Sequence, residues 1–277
     1  MLIKRIISSA ILICIASMAI FIDWFCGLLV TVFIIIGLYE FFTMLEKNKG
    51  ISIYKYFGIA MGAIIPLSIL FNFELTRNWE LLFIVLALLF LILMQFRRRE
   101  NAGVIVGIST TIFGILYVSW FLSFLIKIRY LENGAGLLTS ILVITKLGDI
   151  GAYLVGIRFG KLPLIPRISP KKSIEGAIGG LAFSVLGAFA SRPFLSTFAF
   201  GGITIGQPYL SCWHLMFIGI FLGILGQLGD LSESLMKRDC QVKDSGDIFP
   251  GIGGVLDSID SLLFTAPTFY FLSIILK

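Results

Sequence analysis

The chain has 277 residues, 58% hydrophobic and 14% charged, against roughly 25% charged in an ordinary soluble domain. That composition excludes a soluble domain carrying a single anchor and points to an integral membrane protein. The formal net charge is +6, and one histidine with four scattered cysteines (Cys14, Cys26, Cys212, Cys240) argues against both a zinc site and a disulfide framework.

Apolar runs predict about nine spans, near 6–22, 24–43, 56–73, 79–96, 103–126, 136–157, 174–191, 213–229 and 253–276, each long enough for a hydrocarbon core about 30 Å thick. The expected fold is therefore all-α and polytopic, with a polar cavity facing the cytoplasm. Only Asp23 and Trp24 separate the first two runs, so a re-entrant hairpin is an alternative to two full spans there. No small-residue cleavage site follows Lys4 and Arg5, so no cleavable signal is expected.

Numbering the connecting segments alternately sorts the basic residues. One set holds sixteen of the 22, in the N-terminus and the segments around Lys47, Arg97, Arg158 and Lys237. The other holds five (Arg77, Lys127, Arg129, Arg192, Lys277), and Lys146 lies inside a span. The positive-inside rule puts the richer side in the cytoplasm, the inner membrane being the expected location. Much of the net charge thus reports topology, and no nucleic-acid partner is expected. The segment 192–213 is long and fairly apolar and is expected along the outer interface.

Two cytoplasmic segments stand out. The first, 158–173, has five basic residues and three prolines (Pro163, Pro166, Pro170), which make it stiff and non-helical. Ser169, Lys171, Lys172 and Ser173 lie just before a helix start, a combination suited to polyphosphate, although a topogenic basic loop has the same look. The second, 226–260, holds seven of the sixteen acidic residues between strongly apolar flanks. Acids at a membrane edge are costly to desolvate unless they pair, bind metal or line a wet cavity.

Within it, Asp230, Ser234 and Lys237 share one helical stripe, with Glu233 beside them. Asp257 and Asp260 are spaced i, i+3 after a glycine-rich turn, where backbone can approach a ligand closely and a helix start favours anions. Two carboxylates there oppose that use unless a cation intervenes, and a divalent cation with oxygen ligands resolves the conflict. Ordinary helix capping by Asp is the competing explanation. Lys146 and Asp149, also i, i+3 but inside a span, either pair with each other or line the same cavity. The spacings Gly176/Gly180 and Gly219/Gly223 read as helix-packing contacts.

The stretch SESLMKRDCQVKDSGDIFPGIGGVLDSID resembles the signature of the phosphatidate cytidylyltransferases, the CDP-diacylglycerol synthase family. Ser234, Lys237, Arg238, Lys243, Asp244, Pro250, Gly251, Gly253, Gly254, Asp257 and Asp260 fall at the matching spacing. Upstream, Asp149, Ala152, Tyr153 and the Ser169-Pro170-Lys171-Lys172-Ser173 run followed by Glu175-Gly176 resemble two further elements of that family, so the specific match covers about 146–262. Ile252 and Ser258 depart from it, standing where the signature has His and Arg.

The resemblance implies an enzyme joining CTP and phosphatidic acid at the membrane surface to give CDP-diacylglycerol and pyrophosphate. The N-terminal region, 1–130, is expected to hold membrane helices, and 131–277 the catalytic part with its loops 158–175 and 230–253. The mechanistic expectation is that Asp230, Asp257 and Asp260 hold Mg²⁺, with a second cation such as K⁺ as the family suggests. Asp230, Ser234, Lys237, Asp257 and Asp260 are the expected catalytic residues. Asp149, Ser169, Lys171, Lys172, Ser173, Arg238, Lys243 and Asp244 are the expected substrate-binding residues. A homodimer is the family expectation. Two other readings are a CTP-dependent kinase of a membrane lipid alcohol and, from a different class, a transporter using Lys146 and Asp149 on an ion path.

Overall fold

The computed structural model describes residues 2–49, 53–71, 79–96, 102–196, 211–249, 251 and 253–275. They are nearly all helical. In chain order come α1 (Leu2–Phe21), α2 (Asp23–Lys49), α3 (Lys55–Leu70), α4 (Trp79–Gln95), α5 (Val104–Gly114), a π-helical turn (Ile115–Trp120), α6 (Phe121–Arg129) and α7 (Gly134–Phe159). There follow β1 (Pro163–Ile165), β2 (Ser169–Ser173), α8 (Ile174–Ala190), α9 (Arg192–Ser196), α10 (Cys212–Asp239) and α11 (Val255–Ile275). Among the described residues, five helices are long and apolar enough to cross a membrane: Asp23–Glu46, Val104–Arg129, Gly134–Phe159, Cys212–Asp239 and Val255–Ile275. Four shorter apolar helices, Ala10–Phe21, Lys55–Leu70, Trp79–Gln95 and Ile174–Ala190, match the remaining predicted runs. Most of the segment 192–213 and the position of Ile252 lie outside the described residues.

Three details sharpen the expectation. The break between the first two runs is one residue: the Ile22 amide closes α1 on the Met18 carbonyl, and the Cys26 amide opens α2 on the Ile22 carbonyl. The basic segment after α7 is non-helical as expected, and forms an antiparallel hairpin, Pro163 opposite Ser173 and Ile165 opposite Ser169, with a bulge between. Its prolines are compatible because a two-stranded ribbon has only edges, where a missing N–H costs no ladder bond. Finally, α10 continues past the apolar run that ends near 229 to Asp239, so Asp230, Ser234 and Lys237 lie on one helix as their spacing predicts.

The chain divides into two compact units. The first comprises 1–126 and 237–258. Its core is built by α2, where Ile34, Leu38, Phe41 and Phe42 are at most 1% exposed. They pack on the glycine-bearing face of α3 and on the π-helical turn. A Cβ at Gly58 would stand 2.7 Å from the Phe42 ring, so glycine there is what lets α2 and α3 close. The buried hydroxyl of Ser119 in the π turn donates to the Gly62 carbonyl of α3 at 2.5 Å.

The second unit comprises 127–236 and 259–277. Here α7 and α8 run antiparallel on either side of the hairpin and approach through small residues. Gly148 faces Ser184, Gly176 faces Ala152 and Gly156, and Gly187 faces Ile144. α10 reaches α8 in the same way, Gly219 against Val185 and Gly223 against Ser184, as the GxxxG spacing predicts. Gly229 has no room for a side chain beside the Asp260 carbonyl, and this close approach of α10 to α11 sets Asp230 near Asp260.

Candidate active site

The sequence-predicted residues fall into two groups, one in each unit. In the first unit the segment after α10 turns through residues 240–254 and enters α11. Phe249 and Gly253 exchange both backbone hydrogen bonds, at 2.9 and 3.0 Å, closing the glycine-rich turn. Gly253 sits at φ +124°, a conformation that favours glycine.

Asp257 lies in the first turn of α11 and is almost buried. Its Oδ1 receives the Lys237 ammonium at 2.5 Å, with 9% and 12% of the two side chains exposed. Its Oδ2 accepts from the Gly254 amide at 2.8 Å and from the Ser245 amide and hydroxyl at 2.9 Å each. The bond back to Gly254 is the reciprocal arm of a capping box, so Asp257 does act as a cap, as one of its two sequence readings allowed.

The other amides of that first turn are also taken. Glu40, from α2 and only 4% exposed, accepts from Val255 at 3.0 Å and Leu256 at 2.9 Å. It also accepts the Ser245 hydroxyl at 3.2 Å. The amides of Gly254, Val255 and Leu256 are therefore occupied by protein carboxylates. Glu40 and Ser245 are contributors that the sequence reading missed. Glu40 was visible as a lone acid in an apolar run, a pattern that marks a functional residue by default.

In the second unit the charges gather around α7, α10, α11 and the hairpin. Lys172 pairs with Asp230 at 2.5 Å, both about one-third exposed. Lys146 pairs with Asp149 at 3.1 Å, and the Ser261 hydroxyl donates to the same Asp149 oxygen at 3.2 Å. The Lys146 ammonium also reaches the Ser261 oxygen at 3.3 Å. Asp260 is buried at 9% exposure, accepts the Ser261 amide at 2.6 Å, and interacts electrostatically with Asp230, Asp149 and Lys146. Three carboxylates thus share their surroundings with two lysines.

The hairpin that presents Lys172 is held at its base. The Ser173 hydroxyl accepts from the Gly176 amide at 3.1 Å, capping α8 as expected. Glu175 accepts from the amides of Lys161 at 3.1 Å and Leu162 at 3.2 Å, fastening the start of the segment to its end.

The remaining predicted residues are less committed. Lys171 is exposed and Ser169 half-buried on β2. Ser234 is buried at 9% exposure on α10. Arg238 is exposed and donates to the Val242 carbonyl at 3.4 Å, and Lys243 and Asp244 are exposed and 3.9 Å apart. Ser258, in place of the signature Arg, donates to the Gly254 carbonyl at 3.1 Å.

Among the described residues no three His, Cys, Asp or Glu side chains meet as a ready metal-binding group. The donor chemistry nonetheless differs between the candidates. Asp230 and Asp260 belong to a group with one carboxylate more than its lysines, an environment that suits a divalent cation. Asp257 has both oxygens engaged, Oδ1 by Lys237 alone, so only that oxygen is exchangeable.

With this geometry in view, comparison with known proteins is decisive on kinship. The profile of the Cytidylyltransferase family matches residues 3–276. The chain belongs to the cytidylyltransferase family. Within the family it is 32% identical to the phosphatidate cytidylyltransferase of Synechocystis, over 99% of this chain and 97% of that protein. It is 32% identical to the Thermotoga maritima phosphatidate cytidylyltransferase, over 90% of this chain and 87% of that one. The Bacillus subtilis phosphatidate cytidylyltransferase is 40% identical over 57% of this chain and 55% of its own length.

Proposed function

We propose that this cytidylyltransferase family member is a phosphatidate cytidylyltransferase, transferring CMP from CTP to phosphatidic acid to give CDP-diacylglycerol and pyrophosphate. The observation that carries the reading is the second unit's cluster of Asp149, Asp230 and Asp260 with Lys146 and Lys172, built on apolar helices. Near-full-length similarity to proteins of that name supports it.

In this reading a phosphate oxygen of the lipid forms a bond to the α-phosphorus of CTP, and the bond from the α-phosphorus to the bridging oxygen breaks, releasing pyrophosphate. Both reactants are anionic, so repulsion must be offset before they meet. Lys172 and Lys171 on the hairpin meet phosphate oxygens, and Ser169, Ser173 and Ser234 orient them. Lys237, Arg238 and Lys243, with Asp244, border the CTP side. Lys146 balances Asp149 and Asp260 in the resting protein. Asp230, Asp257 and Asp260 are the proposed ligands of Mg²⁺, with K⁺ as a second cation. A bound Mg²⁺ would supply charge stabilisation at the α-phosphate and the leaving pyrophosphate.

The catalytic region is 131–277, the cavity faces the cytoplasm, and the nine apolar helices cross the inner membrane with the basic-rich segments inside. A homodimer completes the proposal.

The test is incorporation of label from CTP into lipid, by membranes containing the protein, with and without phosphatidic acid and Mg²⁺. Cytidine in the lipid fraction, dependent on both, is the expected result. Transfer of the terminal phosphate alone would make the protein a CTP-dependent lipid kinase, and flux of a solute without lipid modification would make it a transporter.

A further inference from the structure

Glu40 lies outside every motif of the site, yet it accepts two of the site's backbone amides, as many as Asp257, the most fully bonded of the acids predicted for it. Its two oxygens accept the amides of Val255 and Leu256 and the hydroxyl of Ser245, joining α2 to the first turn of α11 and to the loop before it. The surroundings are cut to its shape. A Cβ on Gly254 would come within 2.5 Å of Glu40 Oε2, and one on Gly246 would overlap Oε1. The helix start could have been capped locally, by a Ser, Thr, Asp or Asn just before Val255, but Gly254 stands there.

We propose that Glu40 is a positioning residue for the reaction, a cap lent by a distant helix that fixes the 245–254 loop and the first turn of α11, and with them Asp257 and its Lys237 partner. Ser245 is the link. Its hydroxyl bonds to Glu40 and to Asp257 Oδ2, so displacement of either carboxylate is felt by the other. Glu40 touches no reacting atom; it acts by holding the backbone from which Asp257 projects. This inference rests on the function proposed above.

The experiment compares Glu40→Gln, Glu40→Ala and Gly254→Ala with wild type, and uses Glu46→Gln as control. Glu46 lies on the same helix and pairs with Lys55 at 3.6 Å, outside the site. Glu40→Gln keeps the size of the side chain but turns one acceptor into a donor facing an amide. Removing a charged acceptor from buried donors is expected to lower kcat by about tenfold or more, with KM for CTP changed by less than about threefold. Hydrogen exchange over 253–258 should quicken by about tenfold or more while α3 keeps its protection. Gly254→Ala should give the same signature by pushing a methyl into the carboxylate. Glu46→Gln should stay within about twofold of wild type, because Lys55 keeps its bond to the Thr43 hydroxyl at 2.5 Å and the introduced amide still offers it an oxygen.

Unchanged exchange over 253–258 in Glu40→Gln overturns the cap, whatever the activity. Faster exchange with unchanged kcat, or a KM rise alone, overturns the positioning role. If wild type transfers no cytidylyl group, the reading of the function falls, while exchange still decides whether Glu40 caps α11.

Discussion

The two groups of charges are built from the same residue types and solved in opposite ways. In the first unit Glu40 and Asp257 spend their oxygens on four backbone amides, one serine hydroxyl and one lysine, and little is left for a ligand. In the second, Asp149, Asp230 and Asp260 face two lysines, so negative charge remains. Satisfied carboxylates hold a backbone still; unsatisfied ones invite a cation. The difference teaches that proximity in sequence does not equal likeness of role. Asp257 and Asp260 are three residues apart on α11, yet the first has both oxygens bonded to protein groups and the second is part of a charge imbalance.

The largest test of that contrast is Asp260→Asn, with Asp230→Asn beside it. Each should lower label transfer from CTP to lipid by about a thousandfold or more and blunt its dependence on added Mg²⁺. Turnover within tenfold of wild type would break the contrast at its acid-rich end.

Next comes Lys237→Met, which strands Asp257 in a nearly dry site. A loss of about 3 kcal/mol is expected, read as a lower unfolding midpoint of the solubilised protein. The double variant Lys237→Met/Asp257→Asn should recover part of it, because the stranded charge is then gone. Equal destabilisation by the pair and the sum would mean that the two side chains do not act on each other.

A smaller effect is expected at Lys172→Met. Its pair with Asp230 is about one-third exposed, so stability should barely move, while KM for CTP rises by about tenfold as a phosphate partner is lost. The smallest is Ser173→Ala, which removes the α8 cap and should cost about 1 kcal/mol, with Ser173→Asp restoring most of it. Thermal unfolding measures this, and a neutral Ser173→Ala would show that Glu175 alone suffices to seat the hairpin.

The helices were legible because each is an apolar run with punctuated ends. The run at 174–191 became Ile174–Ala190, and the one at 103–126 became Val104–Arg129. The glycine spacings were legible too, since Gly219 and Gly223 meet Val185 and Ser184 across a helix interface. The hairpin was not, because three prolines argue against ladder hydrogen bonds and say nothing of a ribbon made only of edges. The extent of α10 was legible in part: the i, i+4, i+7 spacing of Asp230, Ser234 and Lys237 already read as a helix continuing beyond the apolar run. Of the site, the motif residues announced themselves by spacing. Glu40 did not, since its partners lie 215 and 216 residues away and no local pattern records them.

That separation has a consequence for how the protein is made. A ribosome adding about 5–20 residues per second needs roughly 10–40 s to pass from Glu40 to Val255. Through that interval α2 already sits among apolar helices with a carboxylate whose eventual donors have not been synthesised. The last helix thus brings the groups that quiet a charge installed by the second, and a nascent chain cut short before α11 keeps that charge unanswered. The contacts that join Glu40 to Ser245, Val255 and Leu256 therefore wait for α11.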